Sequence, residues 1–147
     1  MNRQDAIKST LQNFFQQKAG RFKVQIAFLY GSWAKGLPRN DSDIDIAIVF
    51  DDEPSEEELF DRLTTISLSL SEKIGLEVNV IHIYSDFRKP VLYYNAIVLG
   101  LPVYIKDFTK YVTLINEAIY QAEDFEIFGT GWYQTLSRKN LETIQHA

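Results

Sequence analysis

Two short motifs near the start of the chain have residue types that could bind a metal–nucleotide complex. The first is the pair Asp43 and Asp45, whose carboxylates point to one face if the segment is a β-strand. The two residues then lie about 6.6 Å apart along the backbone, so they could bind one hard cation together. Magnesium is the natural candidate because it prefers oxygen ligands and also binds phosphates. By itself, however, an Asp-x-Asp pair more often belongs to an ordinary turn.

The second motif is Gly31-Ser32, which follows a predicted strand and begins a short helical turn with Ser32 as its expected N-cap. Backbone N–H groups at such a turn can bind phosphate, and Lys35 and Arg39 could add positive charge to a nucleotide site. Each feature also has a common structural explanation, since Gly-Ser starts many helices and most loop cations are solvated. The phosphate and metal motifs together nevertheless indicate nucleotidyl transfer.

The segments around these motifs alternate between helical and extended periodicity. Apolar spacing predicts a helix at 5–18 that Gly20 ends, and a second helix that begins with a Ser55–Glu58 capping box and ends at Gly75. The remaining predicted elements are strands at 22–30, 43–50, 76–84 and 103–105 and a helix at 90–99. After residue 107 helical spacing continues, with an interruption expected at 129–131 and a last helix at 132–145. This alternation is typical of an α/β domain.

The composition narrows the class of protein. A chain of 147 residues is expected to form one domain, and its net charge of −5 argues against stable binding to nucleic acid. The absence of cysteine excludes disulfides and thiolate metal sites. No apolar run approaches the roughly 18 residues that a membrane span needs. We therefore expect a soluble, cytoplasmic protein without membrane association. His82, which lies among apolar strand residues, is expected to be packed rather than to bind a metal.

The spacing of the two motifs resembles a known family signature. A strand ending in Gly-Ser, followed by a loop and Asp-x-Asp at the start of a strand, resembles the nucleotidyltransferase superfamily that includes DNA polymerase β. Two segments are especially similar to its minimal nucleotidyltransferase (MNT) branch, namely Gly31-Ser32-Trp33-Ala34-Lys35-Gly36 and Ser42-Asp43-Ile44-Asp45-Ile46-Ala47. The resemblance runs from about Val24 to Lys106. It implies an α/β fold with a polymerase β-like palm, which is a small mixed sheet flanked by helices. We place this core at residues 1–106 and a helical C-terminal extension at 107–147.

The resemblance also implies an activity and a partner. Members of the MNT branch are commonly encoded beside a HEPN-domain toxin, which implies an antitoxin that transfers AMP from ATP to a hydroxyl of that toxin, typically a tyrosine. Asp43 and Asp45 would hold Mg²⁺, and Gly31 and Ser32 would hold the triphosphate. Two other functions are less favoured: transfer to a small molecule, because the extension is short, and templated polymerisation, because the chain is acidic.

One position departs from the family pattern. Family members usually carry a third aspartate on the next strand, and the matching position in this sequence is Asn79. An amide oxygen can bind a metal, but it brings no negative charge and is a poor base. Glu77 is predicted to lie on the same strand face and could take over the role, although a solvated side chain is an equal expectation. The alternative function is therefore an antitoxin with a weak or inactive nucleotide site that neutralises its toxin by direct binding.

The C-terminal extension is rich in aromatic residues, which are enriched at protein interfaces. They are Tyr111, Tyr120, Phe125, Phe128, Trp132 and Tyr133. Some of them are expected to cover the core. We favour a surface that binds the partner, and the same surface could also form a homodimer.

Overall fold

A computed structural model describes the backbone of residues 2–36 and 42–139, and the side chains of these residues up to residue 124. Helices and strands alternate along most of the chain. In order they are α1 Arg3–Phe22, β1 Val24–Tyr30, α2 Ser32–Lys35, β2 Ile44–Phe50, α3 Glu56–Ile74, β3 Val78–His82, α4 Pro90–Ile97, β4 Leu101–Ile105 and α5 Phe108–Lys139.

The four strands form one mixed sheet in the order β3-β2-β1-β4. Strand β1 is antiparallel to both β2 and β4, whereas β2 and β3 are parallel and are connected through α3. Tyr30 lies opposite Asp45, and Asp45 lies opposite Asn79. The end of β1 and the starts of β2 and β3 therefore meet at one end of the sheet. This arrangement confirms the predicted small mixed sheet, with β4 at its edge.

Both faces of the sheet are covered, and strand periodicity decides which side chain belongs to which face. One face of β2 presents Ile44, Ile46, Ile48 and Phe50 to a core that includes α1 and α3 residues. The opposite face packs against α4 and the first half of α5 through a second apolar cluster. Strand β1 is buried on both sides, which explains its almost continuous apolar sequence.

Helix α1 is longer than predicted, because it continues through Gly20 to Phe22. Ala19 and Phe22 are both buried in the core, so tertiary packing outweighs the low helix propensity of glycine. The helix ends at Lys23, which adopts a left-handed conformation with φ of 57°. The prediction that Gly20 ends this helix was wrong, and β1 begins two residues later than expected.

Helix α3 begins and ends as predicted. The Ser55 side chain accepts a hydrogen bond from the backbone N–H of Glu58 at 3.2 Å, and its hydroxyl donates to the Glu58 carboxylate at 3.1 Å. Gly75 ends the helix in a left-handed conformation with φ of 82°. Since α3 connects the parallel strands β2 and β3, these caps fix the length of the crossover.

Helix α5 runs from Phe108 to Lys139 without the interruption predicted at 129–131. Each glycine costs only about 1 kcal/mol in a helix interior, which is not enough to break a long helix. Within α5, the residues that pack against the sheet are Tyr111, Leu114, Ile115 and Ala118. The side chains of Phe125, Phe128, Trp132 and Tyr133 lie outside the described part of the chain. In that described part, no helix is both long and apolar enough to cross a lipid bilayer.

Candidate functional site

Gly31 brings the two motifs of the sequence into contact. Its φ of 76° and ψ of −154° define a backbone conformation that is essentially restricted to glycine. A Cβ atom at this position would lie 2.5 Å from the Oδ2 atom of Asp45, so only glycine leaves room for that carboxylate. The Gly-Ser turn and the acidic pair therefore form one continuous site at the end of the sheet.

The turn after Gly31 is the short helix α2, and Gly31 is its N-cap. Ser32 is the first helical residue, so the prediction of Ser32 as the N-cap was wrong; the glycine conformation sets the start of the turn instead. Gly36 ends the helix with φ of 74°, as predicted. Lys35 is exposed at the end of α2. Arg39 lies outside the described residues.

The acidic pair lies at the start of β2. Asp43 is exposed and directly precedes the strand, which begins at Ile44 rather than at Asp43 as predicted. Asp45 is partly buried within the strand. Ile44 and Ile46 are fully buried on the opposite face, so the apolar core fixes the register. Both carboxylates consequently point away from that core.

Electrostatics disfavours a charged Asp45 when no cation is bound. Burial raises the pKa of the Asp45 carboxyl above its ordinary value, the Asn79 amide opposes this shift, and the negative charge of Asp43 adds to it. Across the sheet, burial and the Asp45 charge together raise the pKa of Tyr30 to about 12. A bound cation would relieve this repulsion, which is the behaviour expected of a metal-binding carboxylate.

Asn79 lies beside the acidic pair, whereas Glu77 makes no described contact with it. The Asn79 amide donates a hydrogen bond to the Oδ2 atom of Asp43 at 3.3 Å. The side chain of Glu77 is exposed, and its backbone carbonyl accepts a hydrogen bond from Ile44 at 2.9 Å. Among the described residues, no group of three histidine or carboxylate side chains could hold a metal ion. The assignment of either residue to catalysis stays a prediction.

Sequence analysis missed two residues that hold the turn in place, Trp33 and Gln4. Trp33 is only 2% exposed, and its indole N–H donates to the backbone carbonyl of Ser42 at 2.9 Å. Gln4 donates from its side chain to the backbone carbonyls of Trp33 at 2.7 Å and Ala34 at 3.3 Å. A tryptophan directly after Gly-Ser was the available signal, because so large an apolar residue in a polar turn must be buried.

A cleft of about 800 Å³ lies at the opposite end of β2 and β3 and is separate from the acidic pair. His82 lines it and contacts the rings of Phe50 at 5.4 Å and Tyr84 at 4.4 Å between centroids, as expected of a packed strand residue. Burial lowers the pKa of His82, so the side chain is neutral at pH 7. Neither Asp43 nor Asp45 lines this cleft, so the cleft is not part of the candidate metal site.

The mixed sheet joins a glycine-dependent turn to paired carboxylates, as the resemblance to the polymerase β-like nucleotidyltransferases predicts. Residues 9–109 match the family model described as "Polymerase beta, Nucleotidyltransferase". The match spans more than half of the chain, and this protein therefore belongs to that family. No curated protein sequence matches the chain.

Solved structures with the same fold include chains of toxin–antitoxin complexes. A chain of one such complex with AMP-PNP is 18% identical, with a TM-score of 0.59 over 92% of this chain and 96% of that one. A chain of a Shewanella oneidensis complex between a tri-AMPylated HEPN toxin and an MNT antitoxin is 16% identical, with a TM-score of 0.56 over 95% and 97%. A chain of the MntA-HepT complex is 16% identical, with a TM-score of 0.56 over 94% of this chain and 97% of that one. Likeness at this identity establishes the fold, and it confirms the predicted polymerase β-like architecture.

Proposed function

We propose that this protein is an antitoxin that transfers AMP from ATP to a hydroxyl, expected to be a tyrosine, of a cognate HEPN-domain toxin. The observation that carries the proposal is the close approach of Asp45 to Gly31, because it joins the turn that we expect to bind phosphate to a pair of carboxylates. Toxin–antitoxin chains of the same fold, one in a complex with AMP-PNP and one with an AMPylated toxin, support the nucleotide and the acceptor.

The donor atoms fit magnesium. Mg²⁺ commonly binds to one or two carboxylates and completes its coordination with water and substrate phosphates. Asp43 and Asp45 would supply the two carboxylates. Asn79, whose amide nitrogen donates to Asp43, carries a side-chain oxygen that would be a further ligand at the same end of the sheet. When bound, the cation would neutralise charge that develops on the phosphate oxygens.

The residues of the chain then have separate tasks. The backbone at Gly31 and Ser32 would bind the triphosphate, with Lys35 and Arg39 contributing charge. The acceptor hydroxyl oxygen forms a bond to the α-phosphorus, the bond from that phosphorus toward the β-phosphate breaks, and pyrophosphate leaves with the electron pair. The hydroxyl proton passes to water, because the Asn79 amide is not a base. Positioning and electrostatics supply most of the rate enhancement.

Mass spectrometry tests the proposal directly. The purified protein is incubated with its HEPN toxin, ATP and Mg²⁺, and the intact mass of the toxin is measured. We expect the toxin to gain AMP units with the natural protein and none with Asp43→Asn or Asp45→Asn. Asp61→Asn is the matched control, because Asp61 is an exposed carboxylate on α3 away from the site. An unmodified toxin in the natural reaction would contradict transfer.

Direct binding without transfer is the second candidate function. Asn79 favours it, because the amide leaves the site with two carboxylates rather than three. Co-expression of toxin with the Asp43→Asn variant distinguishes the two functions. Restored growth with an unmodified toxin supports neutralisation by binding, whereas toxicity with a stable complex supports transfer.

A further inference from the structure

Asp43 lies outside the ladder of the sheet. The pairing of β1 with β2 extends to Asp45, and the pairing of β2 with β3 begins at Ile44. The sheet therefore fixes Asp45 directly, but it leaves Asp43 one residue beyond the last paired position. A carboxylate that shares a metal with Asp45 must be held by other contacts.

Trp33 makes such a contact with the backbone directly before Asp43. The indole N–H of Trp33 donates to the carbonyl of Ser42, which belongs to the peptide group that links Ser42 to Asp43. Trp33 is 2% exposed and belongs to the core cluster that also contains Ile44. This part-buried hydrogen bond thus joins the turn after Gly31 to the backbone that carries Asp43.

The turn that carries Trp33 is itself anchored to α1. Gln4 donates to the carbonyls of Trp33 and Ala34 at the end of α2, and the Trp33 carbonyl also accepts from the Gly36 N–H at 3.4 Å. The start of α1 is fixed in turn by Asn2, whose side chain accepts from Asp5 at 2.8 Å. Helix α1 therefore sets the position of α2, and α2 sets the position of the Ser42 carbonyl.

We propose that Trp33 is a positioning residue that fixes Asp43 relative to Gly31 through its bond to Ser42, with Gln4 holding Trp33 in place. The inference rests on the proposed function in one respect, namely that the aligned carboxylates of Asp43 and Asp45 would bind a metal–nucleotide complex. Without the indole N–H, the peptide group before Asp43 loses one of its anchors, while the bonds from Asn79 to Asp43 and from Ile44 to Glu77 remain. We expect the Asp43 carboxylate to be less precisely aligned with that of Asp45. Metal-dependent nucleotide binding then weakens, while nucleotide contacts made by the turn are retained.

Trp33→Phe tests this inference, because it keeps an aromatic ring and removes the N–H donor. The readout is the Mg²⁺ concentration that gives half-maximal binding of AMP-PNP, measured by calorimetry below the unfolding temperature. We expect about a tenfold increase, which corresponds to the loss of one part-buried hydrogen bond. Gln4→Ala is expected to give a smaller increase, and Gln16→Ala, an exposed glutamine of α1, no change.

A double substitution separates positioning from general destabilisation. If Trp33 acts through Asp43, Trp33→Phe has no further effect on nucleotide affinity when Asp43→Asn is already present. An equal effect in both backgrounds would overturn the inference. Amide hydrogen exchange at Ile44, whose N–H donates to the Glu77 carbonyl at 2.9 Å, gives a result that needs no nucleotide. Because Ile44 directly follows Asp43, its exchange is expected to accelerate in Trp33→Phe and Gln4→Ala but not in Gln16→Ala.

The two proposals fail in distinguishable ways. Absence of AMP-PNP binding by the natural protein contradicts the proposed function, and the exchange measurement then decides the inference alone. Unchanged exchange at the Ile44 amide in Trp33→Phe would overturn the role of Trp33 even if transfer is observed.

Discussion

The Asp45 carboxylate is partly buried and lies beside a second carboxylate, and both conditions disfavour its charged form. Its pKa is raised mainly by burial. An acid with a raised pKa in the folded state stabilises the fold only when protonated, and this contribution is lost as the pH rises through that pKa. The candidate metal site is thus maintained at a cost to the stability of the metal-free protein.

This cost predicts that Asp45→Asn increases stability at pH 7 when metal is removed. The neutral amide avoids the unfavourable charge, so the free energy of unfolding is expected to exceed that of the natural protein in urea denaturation with EDTA. At a pH below the ordinary aspartate pKa the difference is expected to disappear, because both side chains are then neutral. A destabilised variant at pH 7 would contradict this account.

Asn79→Asp is expected to strengthen metal binding. A third carboxylate beside Asp43 and Asp45 increases attraction for Mg²⁺, so the half-saturating concentration is expected to fall several-fold in calorimetric titration. The change also removes the Asn79 amide, which lowers the pKa of Asp45, and adds a negative charge, which raises that pKa. As the solution is acidified, metal binding is therefore expected to be lost at a higher pH than in the natural protein. Asn13→Asp is the control, because Asn13 is an exposed asparagine of α1 and the substitution adds the same charge away from the acidic pair. Equal effects of both substitutions would exclude a specific role for position 79.

Gly31→Ala is expected to abolish nucleotide binding and to cost about 1–3 kcal/mol of stability, the usual cost of a non-glycine residue in this conformation. The new Cβ would also displace the Asp45 carboxylate. Gly20→Ala is the matched control, because a Cβ there meets no atom within 4 Å. That helical substitution is expected to stabilise by about 0.5–1 kcal/mol. Thermal unfolding and AMP-PNP calorimetry measure both effects.

At the scale of elements, the caps of α3 can be changed without touching the site. Ser55→Ala removes the side-chain acceptor for the Glu58 N–H and is expected to lower the free energy of unfolding by about 1 kcal/mol. Nucleotide affinity is expected to stay the same, because Ser55 lies at the end of β2 away from Asp43. A loss of affinity beyond the loss of stability would show that the crossover helix influences the site.

The sequence analysis succeeded where the deciding signal is local. The alternation from Ile44 to Phe50 predicts which side chains of β2 are buried, and Ser55 with Glu58 predicts the start of α3. It failed at Gly20, because burial of neighbouring residues in the core is not visible in local propensity. Trp33 was missed as a positioning residue for the same reason: Gln4 lies 29 residues earlier in the chain, and the bond to Ser42 reaches a backbone carbonyl that has no sequence signature.

At the scale of the whole molecule, the described contacts of α5 with the core come from the first half of the helix. The described contacts of α5 with the sheet come from residues between Tyr111 and Ala118. A partner surface on the aromatic residues after 124 remains a prediction, and so does the division of the chain at residue 107.

Truncation after Asp124 tests this surface. Because the described core contacts of α5 lie before this point, the shortened protein is expected to fold with an unchanged circular dichroism spectrum and to bind AMP-PNP. Co-purification with the HEPN toxin is expected to be lost. An insoluble product, with no folded protein recovered, would assign the aromatic residues to the core instead.

The position of Asn79 has an evolutionary consequence. It is exposed on an edge strand, so the side chain can change without repacking either core. Codons for asparagine and aspartate differ only in their first base, which means that a single transition mutation adds or removes the third carboxylate. Under the proposed function, a lineage of such proteins would gain or lose the third site carboxylate in one mutational step, while Gly31, Asp45 and the sheet that joins them stay intact.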